Sequence, residues 1–245
     1  MLNVIYEDNH LLVVEKPVNI LSQGDNTNDD DMVNLLKKYL KEKYNKPGNV
    51  FVGLVHRLDR PVGGIMVFAK TSKAASRLSE QVRNKTFKKT YKAVLHGEMK
   101  KKQDNLSDYL YKDKKTNMVS VVNKNHKDAK DAKLSYKTLA SNNGFSLVEI
   151  DLQTGRPHQI RVQFSSRNHP LYGDQRYGKN VNKKGQQIAL WSYKIEIEHP
   201  TKKEKHISSD IVKVANFFNI ITTSYLLFLS KSTAINITTP FTIIW

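Results

Sequence analysis

The chain has 245 residues, enough for one domain with a core of its own and at most a small appendage. It contains no cysteine, which excludes disulfides, thiolate zinc sites and a cysteine nucleophile, and agrees with a reducing cytoplasm. Its 40 lysines and arginines against 23 aspartates and glutamates set a net charge of +17, a balance that favours a polyanionic partner through steering and counterion release.

The opening, Met1 to Asp8, has no basic stretch leading into a long apolar run, so a cytoplasmic location without a signal peptide is expected. Val4–Tyr6 and Leu11–Val14 read as two short strands joined by a polar turn, with Lys16-Pro17 ending the second. An acidic loop follows, closing on Asp29, Asp30 and Asp31, and the basic excess begins only at Lys37. Leu35, Leu36 and Leu40 recur at helical spacing, which predicts an amphipathic helix over 33–44. Val50–Val55 and Ile65–Ala69 read as apolar strands, and Thr71 or Ser72 caps a helix with Ala75, Leu78 and Val82 on one face.

Thr90–Leu95 alternates, with Tyr91, Ala93 and Leu95 on one side. The lysine-rich stretch 100–131 reads as a solvated hairpin or insertion. Strands resume at 132–139 and 146–152. Thr154-Gly155 then turns the chain, Pro157 suits the first position of a helix over 158–165, and 191–198 is a last clear strand. Many strands, few helices and no βαβ rhythm predict an α+β fold on a mixed, mostly antiparallel sheet.

After Asp210 the composition shifts: no acidic residue follows, and only Lys213 and Lys231 are basic. Ile211–Leu229 approaches the length of a membrane span but is broken by Lys213, Asn216 and Asn219, so no membrane partner is expected. The expected division is a catalytic domain over 1–207 and a divergent tail over 208–245.

Chemistry concentrates in three places. In His56-Arg57-Leu58-Asp59-Arg60-Pro61-Val62-Gly63-Gly64 a carboxylate lies between two arginines where one strand yields to the next. A neighbouring cation keeps such a carboxylate ionised, ready to act as nucleophile or base, although an ion-paired structural turn has the same pattern. In Thr154-Gly155-Arg156-Pro157-His158-Gln159-Ile160-Arg161, polar residues crowd a turn–helix junction, with His158 and Arg161 three apart and Arg156 at the helix start. Tyr91 is open to two readings, core packing or stacking on an extruded base. The turn-rich stretch from His169 to Gly178 reads as a structural loop shaping a cleft wall. No paired zinc spacing, phosphate loop or dinucleotide fingerprint is present.

Taken together, these stretches resemble the RluA-type pseudouridine synthase family. The resemblance rests on five ordered pieces over residues 1 to about 200: Glu7-Asp8 through Val14, Lys16 and Pro17; His56-Arg57-Leu58-Asp59 with Gly64 and Ala69-Lys70; Thr90-Tyr91-Lys92-Ala93; Gly155-Arg156 with His158-Gln159-Ile160-Arg161; and His169-Pro170-Leu171, Gly173-Asp174, Tyr177-Gly178. It implies a long, bent, mostly antiparallel sheet around a central cleft. It further implies Asp59 as the catalytic aspartate, Tyr91 as a base-stacking tyrosine, Arg161 as the partner of the aspartate, and Arg57 as a residue that helps displace the target base. Arg60, Arg156, His158 and Gln159 are the further substrate-binding candidates. No cofactor or metal is implied. The expected partner of this expected monomer is structured RNA, ribosomal before transfer RNA; an RNA-binding or RNA-folding protein without turnover is the alternative. Val62-Gly63-Gly64 departs from the family's commoner Thr-Ser-Gly, and the tail resembles nothing in it.

Overall fold

A computed structural model describes residues 2–209 apart from Asn28 and Lys203, with the backbone alone at 206–209. Its first hairpin joins β1 (Asn3–Glu7) to β2 (Leu11–Lys16). Asp8 makes the turn, its Oδ1 accepting from the N–H groups of His10 and Leu11 at 2.8 and 2.7 Å. Helix α1 (Met32–Lys43) is capped by Asp31, which accepts from Asn34 N–H at 3.1 Å, and buries Met32, Leu36 and Leu40 at a spacing of four. After β3 (Gly53–Leu54) and β4 (Gly63–Ala69) comes α2 (Ser72–Arg83), capped by Thr71. The remaining elements are β5 (Lys88–His96), β6 (Gln103–Lys112), β7 (Val119–Val122), β8 (Lys130–Asn142), β9 (Phe145–Leu152), α3 (Gln159–Ser165), β10 (Leu190–Glu198) and β11 (Lys205–Ser209).

Among the described residues all the strands share one 11-stranded sheet, ordered β1-β2-β4-β10-β5-β9-β8-β6-β7, with β3 beside β4 and β11 beside β10. Every pairing is antiparallel except β4–β10, which is parallel and holds only Gly63↔Trp191 and Gly64↔Ser192 in register. The α+β, mostly antiparallel expectation therefore stands. Alternation along β2 and β4 sorts the core onto two faces. Leu12, Val14, Met66 and Phe68 join α1, Tyr91, Ile150 and Phe164 of α3 on one face; Leu11, Val13, Ile65 and Val67 pack on Ala74 and Leu78 of α2 on the other.

Three expectations need correction. The strand expected over 50–55 shrinks to Gly53–Leu54, and Phe51 is 48% exposed. The reason lies along the free edge of β4. β3 takes that edge at Phe68–Ala69 and β10 takes it at Gly63–Gly64. Between them side chains stand in for a strand: His56 Nε2 accepts from Val67 N–H at 3.0 Å, and Ser192 Oγ donates to Ile65 O at 3.0 Å. The lysine-rich stretch expected as a solvated hairpin or insertion is a hairpin, but not a solvated one: it continues the main sheet through the β6–β8 pairing and buries Leu106, Leu110 and Val119. The third helix starts at Gln159; His158, expected inside it, sits before it with φ 51°. Of the expected tail, only Ser208 and Ser209 fall within the described residues, at the end of β11; the rest lies outside them.

The glycine pair at the β4–β10 junction is sterically required. A side chain at Gly63 would run into the Trp191 ring, and one at Gly64, whose φ is +116°, would collide with the Ser192 backbone. Gly64→Ala is therefore expected to cost at least about 2 kcal/mol, from backbone strain and overpacking together. A urea-denaturation midpoint equal to that of the unaltered chain would contradict this.

Candidate active site

The loop between β3 and β4 is fastened from beneath before it presents any polar group. Leu58 and Val62 are buried in the larger core cluster. Ser22 Oγ donates to Leu58 O at 2.7 Å and accepts from Leu58 N–H at 3.0 Å. Lys16, wholly buried at the end of β2, donates from Nζ to the carbonyls of Pro17, Ile20 and Arg60 at 2.9, 2.6 and 3.0 Å. Burial pushes the Lys16 ammonium down to about 8, against the opposing pull of the Asp59 charge. Val62 N–H closes the turn onto Asp59 O at 2.9 Å. Asp59, between the fastened points, keeps its side chain 27% exposed towards the cleft.

Helix α3 brings in the opposing cation. Arg161 Nη1 donates to Asp59 Oδ2 at 3.1 Å. The other edge of the same guanidinium is bidentate on Asp174, Nε to Oδ2 at 2.8 Å and Nη2 to Oδ1 at 2.7 Å. Asp174 is 1% exposed and also accepts from the N–H groups of Arg176 and Tyr177. Its burial opposes ionisation, but Arg161 and these N–H groups hold the carboxyl below its ordinary range. Burial likewise opposes the Arg161 charge, and the two carboxylates outweigh it and raise the guanidinium. The turn that carries Asp174 is pinned by Asn182, whose Oδ1 accepts from Gly173 N–H and whose Nδ2 donates to the carbonyls of Leu171 and Gly178.

Two aromatic residues complete the surroundings. Tyr91, on β5, is buried; burial first, and then the nearby Asp59 charge, push its phenol upward, so it stays neutral. Tyr177 lies under the Arg161 guanidinium at 5.2 Å. Its hydroxyl accepts from Val119 N–H at 3.0 Å, so its proton goes to His158 Nδ1, 2.7 Å away. Burial lowers His158, with Asp59 opposing, and the imidazole is a neutral group beside the pair.

The sequence candidates thus divide. Asp59, Arg161, Tyr91 and His158 come together. Arg57 is exposed in the cleft wall, and Arg60 is exposed and occupied by Asp29 at 2.7 Å. Arg156 lines the cleft while its Nε donates to Asp131 O at 2.8 Å. Gln159, expected to bind substrate, lines the cleft but is 3% exposed, with its amide engaged by neighbouring groups. Its Oε1 accepts from Thr154 Oγ1 and Arg156 N–H, and its Nε2 donates to Lys133 O and Gln163 Oε1. Sequence reasoning missed Lys16, Asp174 and Asn182 as parts of the site. Asp174 and Lys16 both stand in stretches that carry the family resemblance, without a role assigned to either; Asn182 carried no signal.

The whole lies in a cleft of about 2310 Å³ with a basic lining that includes Arg57, Lys89, Arg156 and Arg176. Among the described residues no three His, Asp or Glu side chains gather to hold a metal ion. Nor is any helix among them long and apolar enough to cross a membrane.

Residues 10–166 match the family described as RNA pseudouridylate synthase. The chain belongs to that family. Enzymes of this family are isomerases that convert uridine to pseudouridine in RNA. Among its relatives is an uncharacterized RNA pseudouridine synthase of Bacillus subtilis, YhcT, 34% identical over 83% of this chain and 66% of that protein. Another is the ribosomal large subunit pseudouridine synthase D of Borreliella burgdorferi, 32% identical over 92% of this chain and 73% of that protein. The chain thus spans roughly two thirds to three quarters of the length of these two synthases. The fold is shared with two human proteins, RNA pseudouridylate synthase domain containing 4 and 1. Their TM-scores are 0.70 and 0.71 at 20% and 19% identity, covering 85% and 95% of this chain and 88% and 96% of theirs. In this pseudouridine synthase fold, Asp59 stands on the β3–β4 loop, while Arg161 and Asp174 stand on α3 and the turn after it.

Proposed function

We propose that this chain isomerises chosen uridines in structured RNA, ribosomal RNA first and transfer RNA second, with Asp59 as the group that starts the reaction. The observation that carries the reading is the Asp59–Arg161–Asp174 chain, set in a basic cleft beside a buried tyrosine. The preference for ribosomal RNA draws on the printed names of relatives such as synthase D. The absence of cysteine fits work in a reducing cytoplasm, and the chain is taken to act as a monomer.

The bond from ribose C1′ to uracil N1 breaks, the ring turns while held, and C5 bonds to C1′. The hydrogen on C5 leaves as a proton, and N1 ends protonated. A carboxylate can start this by attack at C1′, by attack at C6, or by taking the 2′ proton, and whichever route is taken falls to Asp59. Arg161 orients it through the contact at 3.1 Å. Tyr91 covers the ring so that the freed uracil does not escape before it recombines. Arg57 reaches for the displaced strand, and Arg60, Arg156 and His158 contact the substrate around the aspartate. A uridine inside a duplex is out of reach, so the target is a loop nucleotide or one flipped out.

The test is release of tritium from RNA labelled at C5 of uridine, offered as unmodified, protein-free ribosomal and transfer RNA. Release is expected from ribosomal RNA. Release from transfer RNA alone would reverse the order of substrates. No release from any RNA by folded protein would favour an RNA-binding protein without turnover.

A further inference from the structure

Several cations of the cleft already have company. Arg161 is shared by two aspartates, Arg60 pairs with Asp29, Arg156 holds a carbonyl, and Lys194 pairs with Glu196. Exposed lysines such as Lys85 and Lys88 need none, because water solvates them. Lys89 fits neither group.

It lies on β5 two residues before Tyr91, and β5 pairs with β9 without interruption from Thr90 to His96. Side chains alternate along a strand, so Lys89 and Tyr91 point to the same face, about 7 Å apart along it. The ammonium reaches under the 155–156 turn: a side-chain carbon built on Gly155 would stand 3.3 Å from Lys89 Nζ. The loop of Arg57 and Asp59 lines the same cleft, and the Lys89 charge reaches it, helping after burial to lower His56. Lys89 therefore lies against the turn that carries Arg156, in the cleft that Arg57 also lines.

It is only part-exposed, and among the described residues it has no acidic partner and no hydrogen bond. Burial lowers its pKa and no carboxylate offsets the shift. A part-desolvated cation without a counter-charge is costly to the fold by itself. A bound anion removes that cost. Gly155, having no side chain, leaves the space above Nζ open for one.

We infer that Lys89 forms an anion subsite with the Gly155 turn and binds a backbone phosphate of the RNA next to the nucleotide at Tyr91. This rests on the reading of the cleft as an RNA site. It makes Lys89 a positioning residue: holding the neighbouring phosphate fixes the register in which one nucleotide meets Asp59. It makes no claim on the bond-breaking step.

The test compares the affinity of unmodified ribosomal RNA for the full chain, Lys89→Met, Lys89→Arg and Lys102→Met across a range of salt concentrations. Lys102 is exposed and outside the cleft. Tritium release is measured on the same samples. Lys89→Met is expected to weaken binding about tenfold or more, the loss of one charge-assisted contact. The slope of log affinity against log salt should fall by about 0.7 to 0.9, the signature of one phosphate released. KM should rise more than kcat falls. Lys89→Arg should keep the slope, and Lys102→Met should leave affinity nearly unchanged.

An unchanged slope in Lys89→Met would overturn the subsite, even with activity lost, because a merely structural lysine disturbs folding without changing the phosphate count. If Lys89→Met does not fold, Lys89→Gln supplies a neutral polar head and the same slope decides. A falling slope in a protein that releases no tritium would sink the synthase reading and leave the subsite standing. Release by the full chain with an unchanged slope in the variant would sink the subsite alone.

Discussion

Asp59→Asn is expected to abolish tritium release from C5-labelled RNA, by at least about 10⁴-fold, as loss of a central catalytic group does. RNA affinity should largely persist. The replacement is nearly isosteric, so its oxygen can still accept from Arg161 Nη1, the bond made by Asp59 at 3.1 Å. The loop does not depend on the carboxylate: Lys16 holds the Arg60 carbonyl and Ser22 holds both backbone groups of Leu58. Arg161 remains charge-paired through Asp174. What disappears is negative charge at one point, and with it the power to attack carbon or take a proton. Turnover above a trace in folded Asp59→Asn would sink the role given to this residue.

The second large effect is expected at a residue that need not touch the substrate. Asp174→Ala leaves the Arg161 guanidinium buried with one edge empty, and breaking a buried pair in this way costs about 3–5 kcal/mol. It also deprives the Arg176 and Tyr177 N–H groups of their acceptor. Arg161 is then free to turn from Asp59, so catalysis should fail along with stability. Urea denaturation reads the first effect. Tritium release at low temperature, where the variant is still folded, reads the second. Asp174→Asn keeps the shape without the charge and should fall between. A stable and fully active Asp174→Ala would show that Asp59 alone orients the arginine.

The legible parts of this fold are those where one local pattern decides. Leu36 and Leu40 mark α1, Thr71 marks the start of α2, and the alternation of Tyr91, Ala93 and Leu95 marks β5. The misread parts are those where a distant chain decides. Residues 50–55 have strand composition, but the edge of β4 is shared between β3 and β10 and finished by the side chains of His56 and Ser192. The hairpin of β6 and β7 looked solvated because its lysines outnumber its inward positions; Leu106 and Leu110 are enough to join it to the sheet. The Asp59–Arg161 contact spans 102 positions, so no spacing rule reaches it, and only the family resemblance implied it. Asp174 was read as part of a structural turn because a lone aspartate after glycine does commonly serve turns. Gly63, a departure from the family's usual motif, has a local cause in the Trp191 ring that covers it.

The parallel step between β4 and β10 is two residue pairs long, and β11 rather than β4 continues along β10 from Lys194 onward. The sheet is therefore two plates joined edge to edge over one short step. Asp59 is mounted on the plate of β1 to β4; Tyr91, Arg161 and Asp174 are mounted on the other. Beyond that step the plates share two core clusters, Leu12, Met66 and Phe68 with Tyr91 and Leu95 on one face and Leu11 and Ile65 with Ile195 and Ile197 on the other, and Gln81 bonds to Glu198 and His199 to Asp8 across the joint. The gap between carboxylate and guanidinium thus works as the gauge of that joint. A nucleotide wedged there is felt first by the backbone of Gly64 and Ser192, whose amide protons should change their exchange with solvent when RNA binds.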